Sequence, residues 1–374
     1  MKHLIYADNA ATTQMDVDAF EAMKPYLLHE YGNASQPYSF ARQPKKAIQE
    51  ARETIASCIG ALPEEIYFTS GGTESDNWAI KGTAFRNYDH RATITTAFEH
   101  HAVLRACEAI ERLGCPVTYM WPDKSGVVSP DSLERYITDE TFLVSVMYAN
   151  NELGSIQPIK DLCKVAHDHG ALFHTDAVQA AGHVAIDVND LGVDMLSASA
   201  HKFNGAKGVG FLYVRTGTTL LPYADGGAQE HGLRAGTENV AGIVSMAVAL
   251  KKNVNDLNKN QRHILELESI LLQALNESGI PYVRNGGDHT LPGVISLSFD
   301  GKDGEAILHR MDLMGVCIST GSACDSKNTE ISHVLQAVRM PENLAKGTIR
   351  ISLGKNNTVD DIDTIVTALR KILL

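Results

Sequence analysis

From about residue 64 onward the chain alternates between two hydrophobic rhythms. Short runs rich in β-branched and aromatic residues recur at 66–69, 93–96, 117–120, 142–146, 171–175, 195–199 and 210–214. Stretches with apolar residues every three or four positions lie between several of them, at 73–86, 101–113 and 159–169. The first rhythm predicts strands and the second predicts amphipathic helices. Their alternation predicts an α/β fold with a mostly parallel sheet flanked by helices. Such sheets take their ligands at the carboxyl ends of the strands. Near residue 238 the rhythm changes. Two long helical patterns, 238–258 and 261–277, precede a strand at 294–299, a helix at 303–313 and strands near 316–319 and 347–352, with a last helix from 358. This predicts a smaller C-terminal α/β unit packed on the larger one. The expected division gives 14–258 to the large domain and 1–13 with 259–374 to the small one.

Composition narrows the classes of function. The chain has 374 residues, 44% hydrophobic and 21% charged, the profile of a globular protein of about two domains. A formal net charge of −12 argues against nucleic acid or an anionic membrane as the main partner. No apolar run approaches the ~18 residues of a membrane span. The opening Met1-Lys-His-Leu-Ile-Tyr-Ala-Asp turns polar too soon for a signal peptide. Six cysteines are scattered without a Cys-x-x-Cys pair, which favours a reducing cytoplasm over a disulfide framework or zinc site, and no metal is expected.

Lys202 carries the most chemical information. It closes Met195-Leu-Ser-Ala-Ser-Ala-His-Lys, a buried-strand pattern, and the glycine-rich Gly205-Ala-Lys-Gly-Val-Gly210 follows. Desolvation makes a lysine amine available for Schiff-base chemistry. Asp176 ends a second predicted strand, 26 residues upstream. An amine for an aldehyde and a carboxylate for a ring nitrogen are the pair that pyridoxal phosphate requires.

Other segments extend that reading. In Ser70-Gly-Gly-Thr-Glu-Ser-Asp-Asn77 a strand runs into Gly71-Gly72 and Thr73 opens a helix, an arrangement suited to a phosphate. A plain capping box through Thr73 and Asp76 accounts for the same letters. Gln179 and Asn151 are within reach of a ring's phenolic oxygen, and one of His100 and His101 could stack on it. The loop Gly226–Asn239, with Gln229, Arg234, Thr237 and Asn239, is a second candidate for holding an anion, or a flexible linker. Cys324 lies among small and polar residues, which predicts an exposed thiol able to act as a nucleophile, whereas the other five cysteines sit in apolar patterns. In Thr348-Ile-Arg-Ile-Ser352 the isoleucines take one strand face and Arg350 the other, where its fork suits a carboxylate.

Taken in order, these segments resemble the cysteine desulfurases of the class V aminotransferase superfamily, which are fold-type I pyridoxal-phosphate enzymes. The resemblance runs from Tyr6-Ala-Asp-Asn-Ala-Ala-Thr-Thr13 to the terminal helix. It rests on Ser-Gly-Gly-Thr-Glu-Ser-Asp-Asn, Ser-Ala-His-Lys, Gly-Leu-Arg-Ala-Gly-Thr-Glu-Asn and Gly-Ser-Ala-Cys, the last resembling the branch with a long cysteine loop. It implies that Lys202 binds the coenzyme aldehyde, Asp176 pairs with the pyridinium and His100 stacks on the ring. It further implies that Asn151 and Gln179 bond near the phenolic oxygen, and that Gly72, Thr73, Ser199 and His201 hold the phosphate. Thr237 would reach the phosphate of a partner subunit in a homodimer, while Arg350, assisted by Asn33, would grip the carboxylate of L-cysteine. Cys324 would take the sulfur as a persulfide and pass it to an acceptor, an iron–sulfur scaffold or tRNA-thiolation protein, leaving L-alanine. Selenocysteine lyase and other class V aminotransferases are the neighbouring activities.

The chain departs from that pattern in places. It reads Asn33-Ala-Ser-Gln-Pro-Tyr38 where Asn-Pro-Ser-Ser is common, and Gln14 where proline is usual. Asp325 follows the cysteine in place of threonine and should disfavour its thiolate. The sequence stops at Leu374, short of the tail some relatives use to dock a scaffold protein.

Overall fold

A computed structural model describes residues 4–86, 92–321 and 331–374. The strands in chain order are β1 (Ile5–Tyr6), β2 (Ile66–Thr69), β3 (Ala92–Thr96), β4 (Val117–Met120), β5 (Thr141–Ser145), β6 (Leu172–Asp176), β7 (Met195–Ser199), β8 (Gly210–Val214), β9 (Val283–Asn285), β10 (Val294–Ser298), β11 (Val316–Cys317) and β12 (Thr348–Ser352). The α-helices are α1 (Val17–Leu28), α2 (Arg42–Ile59), α3 (Gly72–Ala84), α4 (His101–Glu111), α5 (Pro130–Tyr136), α6 (Ile159–Asp168), α7 (Val188–Leu191), α8 (Val240–Asn255), α9 (Leu257–Ser278), α10 (Gly304–Leu313), α11 (His333–Ala337), α12 (Glu342–Ala345) and α13 (Val359–Leu373).

Seven strands form one sheet in the order β2-β8-β7-β6-β5-β3-β4. Pairing is parallel from β7 through β6, β5 and β3 to β4, while β8 runs antiparallel to both β7 and β2. In β8 the period-two alternation sends Phe211 and Tyr213 to one core and Leu212 and Val214 to the other. Helices α2, α6 and α8 cover the first face through Ile55, Leu162 and Met246, and α3 and α4 cover the second through Trp78, Ile80 and Ile110. Both faces are therefore closed, as a parallel sheet requires.

A separate core joins β10 and β12 to α9, α10 and α13 through Leu267, Leu271, Leu297, Ile307, Ile349, Ile351 and Leu369. Here β12, β10 and β9 pair antiparallel, while β1 pairs parallel with β11. Isolated bridges Asp8–Ser352 and Ser319–Arg350 lay the N-terminal segment and the stretch after β11 against β12. Thr358 and Asp361 form a reciprocal capping box that starts α13. Val334, Leu335, Val338 and Ala345, late in the chain, pack into the first core of the large sheet.

Some boundaries differ from the sequence expectation. The strands expected at 142–146 and 171–175 run Thr141–Ser145 and Leu172–Asp176. Asp176 pairs with Ser197 inside the ladder instead of capping its end. Helices α1 and α2 lie before residue 64, outside the alternation read from the sequence.

Candidate active site

The carboxyl ends of the central strands enclose an open cleft of about 560 Å³, completed by Arg350 from β12. Gly72, Thr73, His100, Asn151, Asp176, Gln179, Ser199, His201, Lys202 and Arg350 line it, as do Asp76 and the bases of two distant segments, Ala10–Thr12 and Thr320–Gly321. Asn33 and Thr237 are not among its lining residues. Asn33 accepts a bond from the Ser35 amide at 2.9 Å, and Thr237 is exposed. Cys324 and Asp325 lie outside the described residues.

One end of the cleft is built for an anion. Gly71 is the N-cap of α3, at φ 146° and ψ −177°, and no side chain caps the helix. That corrects the capping-box alternative, because the helix begins at Gly72 and Thr73 lies inside it, while Asp76 is buried. A Cβ on Gly72 would lie 2.5 Å from Val178 Cγ2, and one on Gly210 would collide with the Ala198 carbonyl. Glycine is required where β8, β7 and the first turn of α3 crowd together, and the first-turn amides supply the positive end of the helix dipole. His201, whose Nδ1 lies 3.2 Å from Thr12 Oγ1, is held neutral, pushed down to about 4 by burial and by Lys202.

Lys202 sits in a 3-10 turn immediately after β7. Its Nζ donates to the carbonyls of Ala10 at 2.6 Å and Ala11 at 2.9 Å. Gln179 donates to the same Ala10 carbonyl at 2.9 Å. Asp176 accepts from the Val178 amide at 2.9 Å. Burial raises its carboxyl to about 6, even though that amide and the Lys202 charge pull it down. His100 caps α4, its Nδ1 accepting from the Ala102 amide at 3.1 Å, and burial, Lys202 and His101 push it down to about 4. Neutral at physiological pH, it adds an uncharged ring to the cleft wall. The neighbour ambiguity resolves in space, since His101 turns toward the His333 ring, 4.7 Å between centroids.

Arg350 is 5% exposed. Its Nη2 donates to Asp8 Oδ1 at 2.7 Å and its Nη1 to the Asn151 carbonyl at 2.8 Å, whereas Nε has no partner among the described residues. Ile349 and Ile351 enter the smaller core on the opposite strand face. In the loop 226–239, Arg234 forks onto Glu74 at 2.8 Å and Asn239 caps α8, so neither serves as an open anion ligand in this chain.

The family profile described as aminotransferase class-V matches residues 5–365. The chain is 46% identical to the cysteine desulfurase IscS of Dictyoglomus turgidum, over all of this chain and 95% of that protein. It is 45% identical to the cysteine desulfurase IscS of Methanosarcina thermophila, over 99% and 92%. Among solved structures, a NifS-like protein superimposes with a TM-score of 0.94 at 37% identity, covering 99% of both chains. SspA in complex with cysteine superimposes with a TM-score of 0.84 at 38% identity, over 95% of this chain and all of that one. This chain belongs to the cysteine desulfurase group of the class V aminotransferase family.

Enzymes of this family depend on pyridoxal 5′-phosphate. The donor set fits that coenzyme: an uncapped helix start with glycines for a phosphate, a buried carboxylate for a ring nitrogen, and a lysine amine for an aldehyde. Three residues missed at the sequence level also line or serve the cleft: Asp8, Asp76 and Ala10. Only the run Tyr6–Thr13 signalled the first and last, through resemblance. Asp76 enters the sequence reading only through the alternative of a capping box with Thr73.

Proposed function

We propose that this cleft is the desulfurase site, where L-cysteine gives its sulfur to Cys324 and leaves as L-alanine. The balance is simple. The Cβ–S bond of the substrate breaks with its electron pair left on carbon, a sulfur–sulfur bond forms to the Cys324 thiolate, and Cβ gains one proton in exchange for the one the Cys324 thiol gave up. When bound, the coenzyme supplies a protonated ring that withdraws electrons from the substrate.

The protein's own groups divide the remaining work. Gly72, Thr73, Ser199 and His201 would hold the coenzyme phosphate, Asp176 its ring nitrogen, and His100, Asn151 and Gln179 its ring. Lys202 is the base that moves the proton of the substrate α-carbon. Arg350 receives the substrate carboxylate with Asn33, a role its place in the cleft wall supports. The segment carrying Cys324 departs from Thr320 and Gly321 at the cleft wall, which supports delivery of a thiol to the substrate sulfur.

In the assembly we propose, residues 14–258 form the coenzyme domain and 1–13 with 259–374 the small domain. Two copies pair so that Thr237 of each reaches the other's phosphate. Exposed Phe20, Leu27, Leu28 and Tyr31 on and after α1 support such pairing. The persulfide passes to a sulfur-acceptor protein in the cytoplasm, an iron–sulfur scaffold or a tRNA-thiolation protein. No helix among the described residues is long and apolar enough to cross a membrane.

The convergence of Lys202, Asp176 and Arg350 in one cleft carries this reading. Its test is to add L-cysteine to the coenzyme-loaded protein and measure alanine and protein-bound sulfane sulfur. Cys324→Ala should retain the coenzyme and its spectral response to cysteine while forming no persulfide. Sulfide release at the full rate by that variant under limiting reductant would remove Cys324 from the mechanism.

A further inference from the structure

The cleft contains more buried carboxyl groups than one ring nitrogen needs. Donor atoms of Asp76, His100 and Asp176 all lie within 4.8 Å of one another. Asp76, from the first turns of α3, is 1% exposed and lines the cleft. Its Oδ1 has no hydrogen-bond partner among the described residues.

The groups around Asp76 decide its charge. From β6 come Asp176 and His174, from β7 the Ser197 hydroxyl, and from the segment before α4 Glu99 and His100. His174 Nε2 is 3.7 Å from Oδ1 and would be the natural counter-ion. It is not one, because its two ring nitrogens are engaged by Ser145 at 2.9 Å and Ser197 at 3.0 Å. Burial pushes it down to about 3, so it stays neutral. Burial first, then the charges of Asp176 and Glu99, drive the Asp76 carboxyl well above the usual carboxylate range. Lys202 acts on Asp176, which favours the negative charge there. Two carboxylates this close in a low-dielectric site do not both ionise.

We propose that Asp76 is a positioning residue that keeps its proton and donates it as a hydrogen bond to the Asp176 carboxylate, so that the pair bears a single negative charge toward the coenzyme ring nitrogen. The inference rests on the reading of the cleft given above. Its chemical consequence is specific. A hydrogen bond to Asp176 lowers that carboxylate's basicity, so the proton stays on the ring nitrogen and the ring keeps its capacity to withdraw electrons. Without that bond Asp176 becomes the stronger base and takes the proton.

The test uses the holoenzyme loaded with coenzyme labelled with nitrogen-15 in the ring, read by its nitrogen resonance across the neutral pH range. Coenzyme affinity of the apoprotein is measured alongside. Asp76→Asn keeps a neutral donor and should preserve both the protonated-ring resonance and the affinity. Asp76→Ala loses the donor, so the resonance should move toward the unprotonated ring and the affinity should fall about tenfold. If both variants shift the resonance equally, Asp76 is ionised in the native protein and the proposal is overturned. If neither shifts it, Asp76 only fills space, and the proposal is likewise overturned. Should Asp76→Ala not fold, Asp76→Leu takes its place as the variant without a donor, under the same outcomes. Failure of the wild-type protein to take up coenzyme would instead remove the site reading itself.

Discussion

Two buried arginines, in two parts of the molecule, are used in opposite ways. Arg52 on α2 is 8% exposed and closed on every side. Its guanidinium forks onto Glu230 at 2.7 and 2.9 Å, donates to the Ile66 carbonyl and stacks on Phe68 at 4.4 Å. Glu230 also accepts the Phe68 amide at 2.9 Å, so the loop before α8 is tied to the edge of the main sheet. Arg350 is as deeply buried but belongs to the lining of the cleft, and its Nε has no partner among the described residues. Both charges are paired, Arg52 with Glu230 and Arg350 with Asp8, but only the second pair borders a cleft where a ligand can compete for the guanidinium. The same contrast separates His167, bonded to Asp194 at 2.8 Å, from His100, held neutral beside the cleft.

Substitutions should divide along that line. The largest effect belongs to the open region: Lys202→Ala should cut desulfurase turnover by roughly 10²–10⁴-fold. It should also abolish the absorption of lysine-bound coenzyme, and an unchanged spectrum after dialysis would contradict the assignment. On the closed side, Glu230→Ala strands the Arg52 charge and should cost about 3–5 kcal/mol of folding stability by urea titration. Its kinetic constants per folded molecule should remain near wild type; a pure KM defect without lost stability would invert the contrast.

Arg350→Ala should raise KM for cysteine about 10- to 100-fold. Asp8 is then left without its partner, so a modest loss of stability is expected too. A KM equal to wild type would show that Arg350 does not meet substrate.

The smallest effect is a pH dependence. His167 is raised to about 10, first by its hydrogen bond to Asp194 and then by Cys163, although burial opposes this. Its folded value lies above the unfolded ~6.5, so its stabilisation is complete below that pH and disappears as pH rises through about 10. Half-exposure screens it, and the gain is correspondingly small. The urea midpoint should therefore fall across that alkaline window, and His167→Gln should flatten the slope; identical slopes would dismiss the pair.

Much of the cleft could be read from local sequence because its ligands sit at strand ends. Ser199, Lys202 and Asp176 follow runs whose composition already requires burial, and the parallel sheet brings such ends together. Helix α2 falls outside that strand-end pattern although Ile48, Ile55 and Ile59 repeat at helical spacing. Helix α1 carries exposed Phe20, Leu27 and Leu28 and an internal Pro25, so its pattern gives no clean buried face. Asp76 shows the deeper difficulty. Three residues after Thr73, a carboxylate fits a capping box as well as a buried partner, and letters alone do not separate the two.

By itself the sequence determined the alternation of strand and helix, and the placement of a lysine, a carboxylate and a glycine-opened helix at the strands' carboxyl ends. Those features follow from short-range periodicity and from residue chemistry that holds wherever the chain goes. Tertiary structure alone decided which groups close on one another: Asp8 on Arg350, Ala10 beneath Lys202, Asp76 beside Asp176. Each of these pairs joins residues far apart in the chain, and their charge states depend on burial and neighbours that exist only once the sheet and the smaller unit have packed together.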